Sequence, residues 1–218
     1  MTPGLAVDGA GRRAVVVPAG KRAVSVDLST LEVEEHALRS HASLVRRLLG
    51  WLEGTAEAKA IAGPQRRAAW VGADGVAVTG ADGHPTRNGG VRSTTPPLAF
   101  VDARTWSIRT VAERAGTLTG AEDVVLAYGG GWAVDGAARR RGLSAFTSDG
   151  TRRFRVLRDR YIQDVWRAGR YAYAADPTGR RLAVVDLARG TVIARVKRER
   201  PAMILGARRP ARRNGAGG

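Results

Sequence analysis

The chain has 218 residues and is 44% hydrophobic, enough to bury a core, and its 28 Gly and 9 Pro fit a fold with many tight turns. It has no Cys, which excludes disulfides, thiol catalysis and Cys-ligated metals, and no apolar run nears the roughly 18 residues that a membrane-crossing helix needs. The net charge is +16, carried almost wholly by arginine, since lysine stands only at positions 21, 59 and 197.

The first unit spans residues 4–38. Leu5-Ala-Val7 reads as a short strand and Asp8-Gly-Ala-Gly11 as its turn. Arg13-Ala-Val-Val-Val-Pro18, Ala23-Val-Ser-Val-Asp27-Leu28 and Glu32-Val-Glu-Glu-His-Ala-Leu38 supply three more strands. Each is short, mostly Val-rich and bounded by Gly, Asp or Ser. An insert at 43–60 then changes period. Leu44, Leu48 and Leu52 recur at helical spacing, with Ser43 as an N-cap and Gly54 as a stop. Its apolar stripe is expected to pack on the rim of the repeat domain.

The second unit, 67–112, holds Arg67-Ala-Ala-Trp-Val71, an Asp74-Gly75 turn and Val76-Ala-Val-Thr79. A long loop, 80–96, precedes Leu98-Ala-Phe-Val-Asp102 and Trp106-Ser-Ile-Arg-Thr-Val111. The third unit, 116–157, contains Val124-Val-Leu-Ala-Tyr128, a loop at 129–141, and a hairpin closed by Ser148-Asp149-Gly150. The fourth unit, 161–196, is the most regular, with all four strands and three turns visible. Pro201-Ala-Met-Ile-Leu205 reads as one further strand, which takes the repeat domain to 1–206; residues 207–218 read as a disordered basic tail.

An Asp recurs at or just after the third strand of each unit, at 27, 102, 149 and 186. Repetition on this scale predicts an all-β fold, a β-propeller of about four four-stranded blades with one short helical insert. Four units form either a small closed ring or an incomplete arc of a larger propeller. An arc leaves strand edges open to self-association.

The fourth unit resembles blades of the YVTN type, a quinoprotein- or WD40-like β-propeller repeat. The matching residues are Tyr171-Ala-Tyr-Ala-Ala175 and Leu182-Ala-Val-Val-Asp186-Leu-Ala-Arg-Gly190-Thr-Val-Ile-Ala-Arg-Val196. The layout is similar to that of uncharacterised bacterial members of this class. The resemblance implies a fold and leaves function to be argued from a site. Met1-Thr-Pro-Gly-Leu-Ala-Val-Asp8 lacks the pattern of a signal peptide, so the chain as it stands reads as cytoplasmic. A chain lacking N-terminal blades and a signal reads instead as exported.

The sequence offers little chemistry. His36, His41 and His84 are scattered and read as surface loop residues, not as a metal site. There is no nucleophile elbow and no phosphate-binding Gly-rich loop with a following Lys, and no cofactor is expected. Asp8, Asp74, Asp149 and Asp176 are expected in first-to-second or third-to-fourth turns, where a carboxylate accepts backbone amides. Trp70 and Trp166 fall in first strands and are expected to fill packing between blades. The two long loops both join second to third strands, so they emerge on one side of the fold. Trp132, Arg139, Arg140 and Arg141 on one loop, with His84, Arg87 and Arg92 on the other, are the predicted contacts. The expected role is a non-enzymatic scaffold that binds a protein or small ligand there. A propeller enzyme of quinoprotein or hydrolase type ranks second. Arginine-mediated binding of nucleic acid or another polyanion ranks third, because the arginines are spread along the chain and GC-rich coding also favours them.

Overall fold

The computed structural model describes residues 2–18, 20–40, 64–85, 91–129 and 141–197. The predicted helical insert, the strand at 201–205 and the basic tail lie outside these residues, as does His41. Among the described residues every regular element is a strand, and no helix is long and apolar enough to cross a membrane.

The first sheet is a meander of β1 (Gly4–Val7), β2 (Arg13–Val17), β3 (Arg22–Asp27) and β4 (Val33–Ala37). A short β5 (Arg39–Ser40) leaves it and pairs in parallel with the outer strand of the next sheet. That second sheet comprises β6 (Gln65–Val71), β7 (Gly75–Pro85), β9 (Pro97–Asp102) and β10 (Ser107–Arg114), with β8 (Val91–Thr94) attached to the far end of β7. The third runs β11 (Thr117–Ala121), β12 (Val124–Tyr128), β13 (Leu143–Phe146) and β14 (Arg152–Val156). The fourth runs β15 (Asp164–Ala168), β16 (Tyr171–Asp176), β17 (Arg181–Asp186) and β18 (Thr191–Lys197). First strands stand side by side, β1 against β6, β6 against β11 and β11 against β15. This is a β-propeller arrangement of four four-stranded blades.

Three apolar layers hold the sheets together. Val15, Val17, Val76 and Val101 lie between the first and second sheets. Val71, Leu98, Phe100, Val125 and Phe146 lie between the second and third. Leu126, Leu143, Ile162, Val165 and Val185 lie between the third and fourth. A sheet covered on both faces needs strands apolar at every position. The middle sheets obey this: β12 and β13 are buried along their whole length, and β9 is buried from Leu98 to Val101. The end sheets instead alternate. On β1, Gly4 and Ala6 are buried while Leu5 and Val7 are 58% and 44% exposed. Trp166 and Tyr173 lie on the fourth sheet's outward face, their rings 5.4 Å apart, while Val165 and Ala174 face the third sheet. Trp166 therefore does not fill a layer between described blades; its position in the strand alternation turns it the other way.

The recurring Asp builds one turn three times. Asp27 Oδ1 accepts the amides of Ser29 and Thr30 at 2.8 and 3.1 Å. Asp102 Oδ1 accepts those of Arg104 and Thr105, both at 2.9 Å. Asp186 Oδ1 accepts those of Ala188 and Arg189 at 3.1 and 3.3 Å. Four residues after each Asp the backbone turns left-handed, at Leu31 (φ 60°), Trp106 (φ 59°) and Gly190 (φ 64°). Its amide closes the turn on the Asp carbonyl in all three. Only the fourth sheet has Gly where the conformation favours it.

His36 lies in β4, inside the predicted strand at 32–38, but its side chain packs where a surface position was expected: its Nε2 is 2.8 Å from Ser25 Oγ, and its ring stacks on Trp106 with centroids 3.7 Å apart. The guanidinium of Arg13 sits 5.4 Å from the same indole and donates to the Ala103 carbonyl at 2.8 Å. These groups close the rim between the first two sheets.

Leu31 is 72% exposed and makes its turn at left-handed φ, so its side chain contributes strain without burial. We predict that Leu31→Gly raises stability by about 0.5–1 kcal/mol, the relief of strain exceeding the added freedom of the unfolded chain. A urea midpoint that stays put or falls would contradict this.

Candidate functional site

An antiparallel meander puts its connections alternately on two sides. Because the first strands run in parallel, with Thr2 bridged to Gln65, each side is shared by all four sheets. One side carries the tight first-to-second and third-to-fourth turns. The other carries the second-to-third connections, including the two long ones, and the links between sheets.

The tight-turn side is filled with satisfied carboxylates. Asp8 Oδ1 accepts the Arg12 amide at 2.7 Å, and Asp149 Oδ1 accepts the Thr151 amide at 3.0 Å. The Thr147 hydroxyl, the Thr151 amide and the Thr151 hydroxyl hold the Asp149 carboxyl down to about 2. Asp74 contributes its backbone carbonyl, which accepts the Ala103 amide at 2.7 Å. A depression of about 380 Å³ between the second and third sheets is lined by Asp74, Asp102 and Asp149 with Arg104 and Arg109. Arg109 already donates to the Asp149 carbonyl at 2.7 Å. Among the described residues no group of three or more His, Asp or Glu is placed to hold a metal ion. On the opposite side Asp176 plays the same structural part, its Oδ1 accepting the Gly179 amide at 2.8 Å.

On that opposite side residues 80–85 and 91–94 are strand where the composition implies loop. β7 runs on past the second sheet to Pro85 and turns back as β8, pairing Asp82 with Thr94, Gly83 with Ser93, His84 with Arg92 and Pro85 with Val91. Two features fix the base of this hairpin. At Gly80 a Cβ would lie 1.9 Å from the Gln65 carbonyl oxygen, so β7 passes β6 at a distance only Gly allows. Beside it, Arg66 Nη1 donates to Asp82 Oδ1 at 2.8 Å, with the Arg66 side chain fully buried. Burial pulls the Arg66 guanidinium below its usual value and Asp82 pulls it back. The Thr95 carbonyl accepts from Arg114, and the buried Thr79 hydroxyl donates to the Ala115 carbonyl.

Of the seven predicted contacts, His84 and Arg92 are brought together as cross-strand partners of the hairpin backbone. Arg141 ends the neighbouring connection, where its carbonyl accepts from Arg155 Nε at 3.0 Å. Arg87, Trp132, Arg139 and Arg140 lie outside the described residues. The same side also holds a groove formed by Arg158, Arg160, Arg181 and Arg195 with Asp176, none of which the sequence reading proposed as a contact. Their spacing gives no local signal; only the pairing of β17 with β18 and the link after β14 bring them together.

Repeated four-stranded sheets stacked face to face make this a propeller-type repeat protein. No family model matches the sequence, and no curated protein matches it in sequence. Solved propeller structures do resemble it. AztD of Citrobacter koseri superposes with a TM-score of 0.54 at 11% identity, over 91% of this chain and 47% of that one. The dihydro-heme d1 dehydrogenase NirN in complex with DHE superposes with a TM-score of 0.52 at 13% identity, over 91% of this chain and 38% of that one. At such identities the likeness concerns the fold alone, and the chain spans less than half the length of either neighbour.

The buried pair at the hairpin base makes a sharp prediction. Asp82→Ala leaves the Arg66 cation buried without its carboxylate and should cost about 3 kcal/mol, whereas Asp82→Asn keeps an acceptor and should cost less. Denaturant titration measures both. Equal, small losses would mean that the pair does not brace the hairpin.

Proposed function

We propose that this protein is a non-enzymatic propeller scaffold that binds a protein or small ligand on the side carrying the two long connections. Trp132 and the run Arg139, Arg140 and Arg141 supply contacts from the third sheet, and His84, Arg87 and Arg92 supply them from the second. The observation that carries the reading is the β7–β8 hairpin. It extends the second sheet beyond its own meander, and its base is held by Gly80 and the Arg66–Asp82 pair. It leaves on the same side as the connection that ends at Arg141. A projecting hairpin on a rigid stack is a suitable place for recognition, because the scaffold absorbs the cost of ordering the contact residues. Trp and Arg are the side chains that most often dominate such contacts.

Crosslinking coupled to mass spectrometry, with the wild type and an Arg139→Ala/Arg140→Ala/Arg141→Ala variant, tests the reading. Crosslinks from the wild type should fall on 80–96 and 129–141, and the variant should lose at least about tenfold in partner capture. Capture unchanged in the variant, with crosslinks confined to the tight-turn side, would overturn it.

A further inference from the structure

Between the outer halves of the third and fourth sheets lies a groove of about 280 Å³. It opens on the side of the long connections. Arg158 and Arg160 reach it from the link after β14, Arg181 from the start of β17 and Arg195 from β18. Ala183 is paired with Arg195 in the sheet register, and Asp176 with Arg181. By strand alternation Asp176, Arg181, Ala183 and Arg195 therefore share the face turned toward the third sheet.

Many arginines elsewhere are neutralised locally. Arg22 pairs with Glu35, Arg66 with Asp82, Arg153 with Asp123, Arg167 with Glu122 and Arg170 with Asp186. The four in the groove are exposed, and none of their side chains has a hydrogen bond or ion pair with another described residue. Among the described residues the one carboxylate in the lining is Asp176, 5% exposed, with one oxygen taken by the Gly179 amide. The described residues thus give the groove a formal excess of three positive charges, with the guanidinium donors of four side chains uncommitted among them.

We propose that this groove binds a compact oligophosphate, a small molecule carrying two or three adjacent phosphate groups. Guanidinium forks match phosphate oxygens in pairs, and a ligand of about three negative charges balances the excess. The cavity lies just below the range of roughly 300–1,000 Å³ for ligand pockets, a size that suits a short phosphate chain. A nucleic-acid duplex fits less well. It needs a basic surface of on the order of 1,000 Å² or more, far larger than the mouth of a groove lined by four arginines. The inference rests on the proposal that the long-connection side is the binding side, and it names the chemistry of one subsite there.

Isothermal titration of the full chain with inorganic triphosphate, at low and at physiological ionic strength, tests it. The wild type should bind one equivalent, more weakly at the higher salt. Arg181→Gln/Arg195→Gln should weaken binding at least about tenfold, and so should Arg158→Gln/Arg160→Gln. All four side chains are exposed, so unfolding midpoints should not move. The Arg139→Ala/Arg140→Ala/Arg141→Ala variant should bind triphosphate as the wild type does. That separates the two readings: a wild type that ignores triphosphate overturns the groove and leaves the crosslinking test standing. ATP competing as well as triphosphate would assign the chain to a nucleotide; ATP failing to compete would assign it to the free anion. Unchanged affinity in both double variants, or equal competition by duplex DNA without terminal phosphates, would overturn the proposal.

Discussion

Face-to-face packing of apolar sheets is the constraint on which the rest depends. No single sheet here could bury enough surface alone, since four short strands leave two faces to cover. Stacking solves this by giving each sheet a neighbour. The three apolar layers then decide strand composition: near-continuous Val, Leu, Ala and Phe where both faces are covered, alternation where one is open. The exposed Leu5 and Val7 at one end and the outward Trp166–Tyr173 pair at the other follow from the same rule. Each belongs to a face that no other described sheet covers.

With strand positions set by packing, the two sides are left to the connections, and they diverge. The tight-turn side repeats one design, an Asp accepting two amides of its own turn, at 27, 102 and 186. Depressed carboxyl values at Asp27 and Asp149 follow from local hydrogen bonds and mark rigid turns, not reactive groups. On the other side Asp176 accepts one amide of its turn, and the described connections differ from one another. That side holds the projecting β7–β8 hairpin, the end of the connection at Arg141 and the four-arginine groove. The division follows from topology: short turns must be built alike to close a hairpin, whereas second-to-third connections vary in length without disturbing the stack.

Much of the meander could be read from the chain because its signals are local. β16, β17 and β18 carry β-branched and small residues between Gly-containing turns, and they form where expected. The hairpin at 82–94 escaped because Gly, Asp, His, Pro and Thr dominate it, a composition that reads as loop. What makes it a hairpin is tertiary, the tight passage at Gly80 and the buried Arg66. The packing of His36, unlike its strand, has no local signal, since the indole that receives it belongs to the next sheet. The predicted contact residues share a side by topology, while the arginine groove needed the β17–β18 register before residues 181 and 195 could be seen as neighbours.

Amide hydrogen exchange at low protein concentration tests the stacking account most directly. If face-to-face burial sets stability, amides of β9, β12 and β13 will exchange slowest, and those of β1, β4 and β18 much faster, because their sheets have one open face. Equal protection across all four sheets, or slowest exchange in the first or fourth, would contradict it.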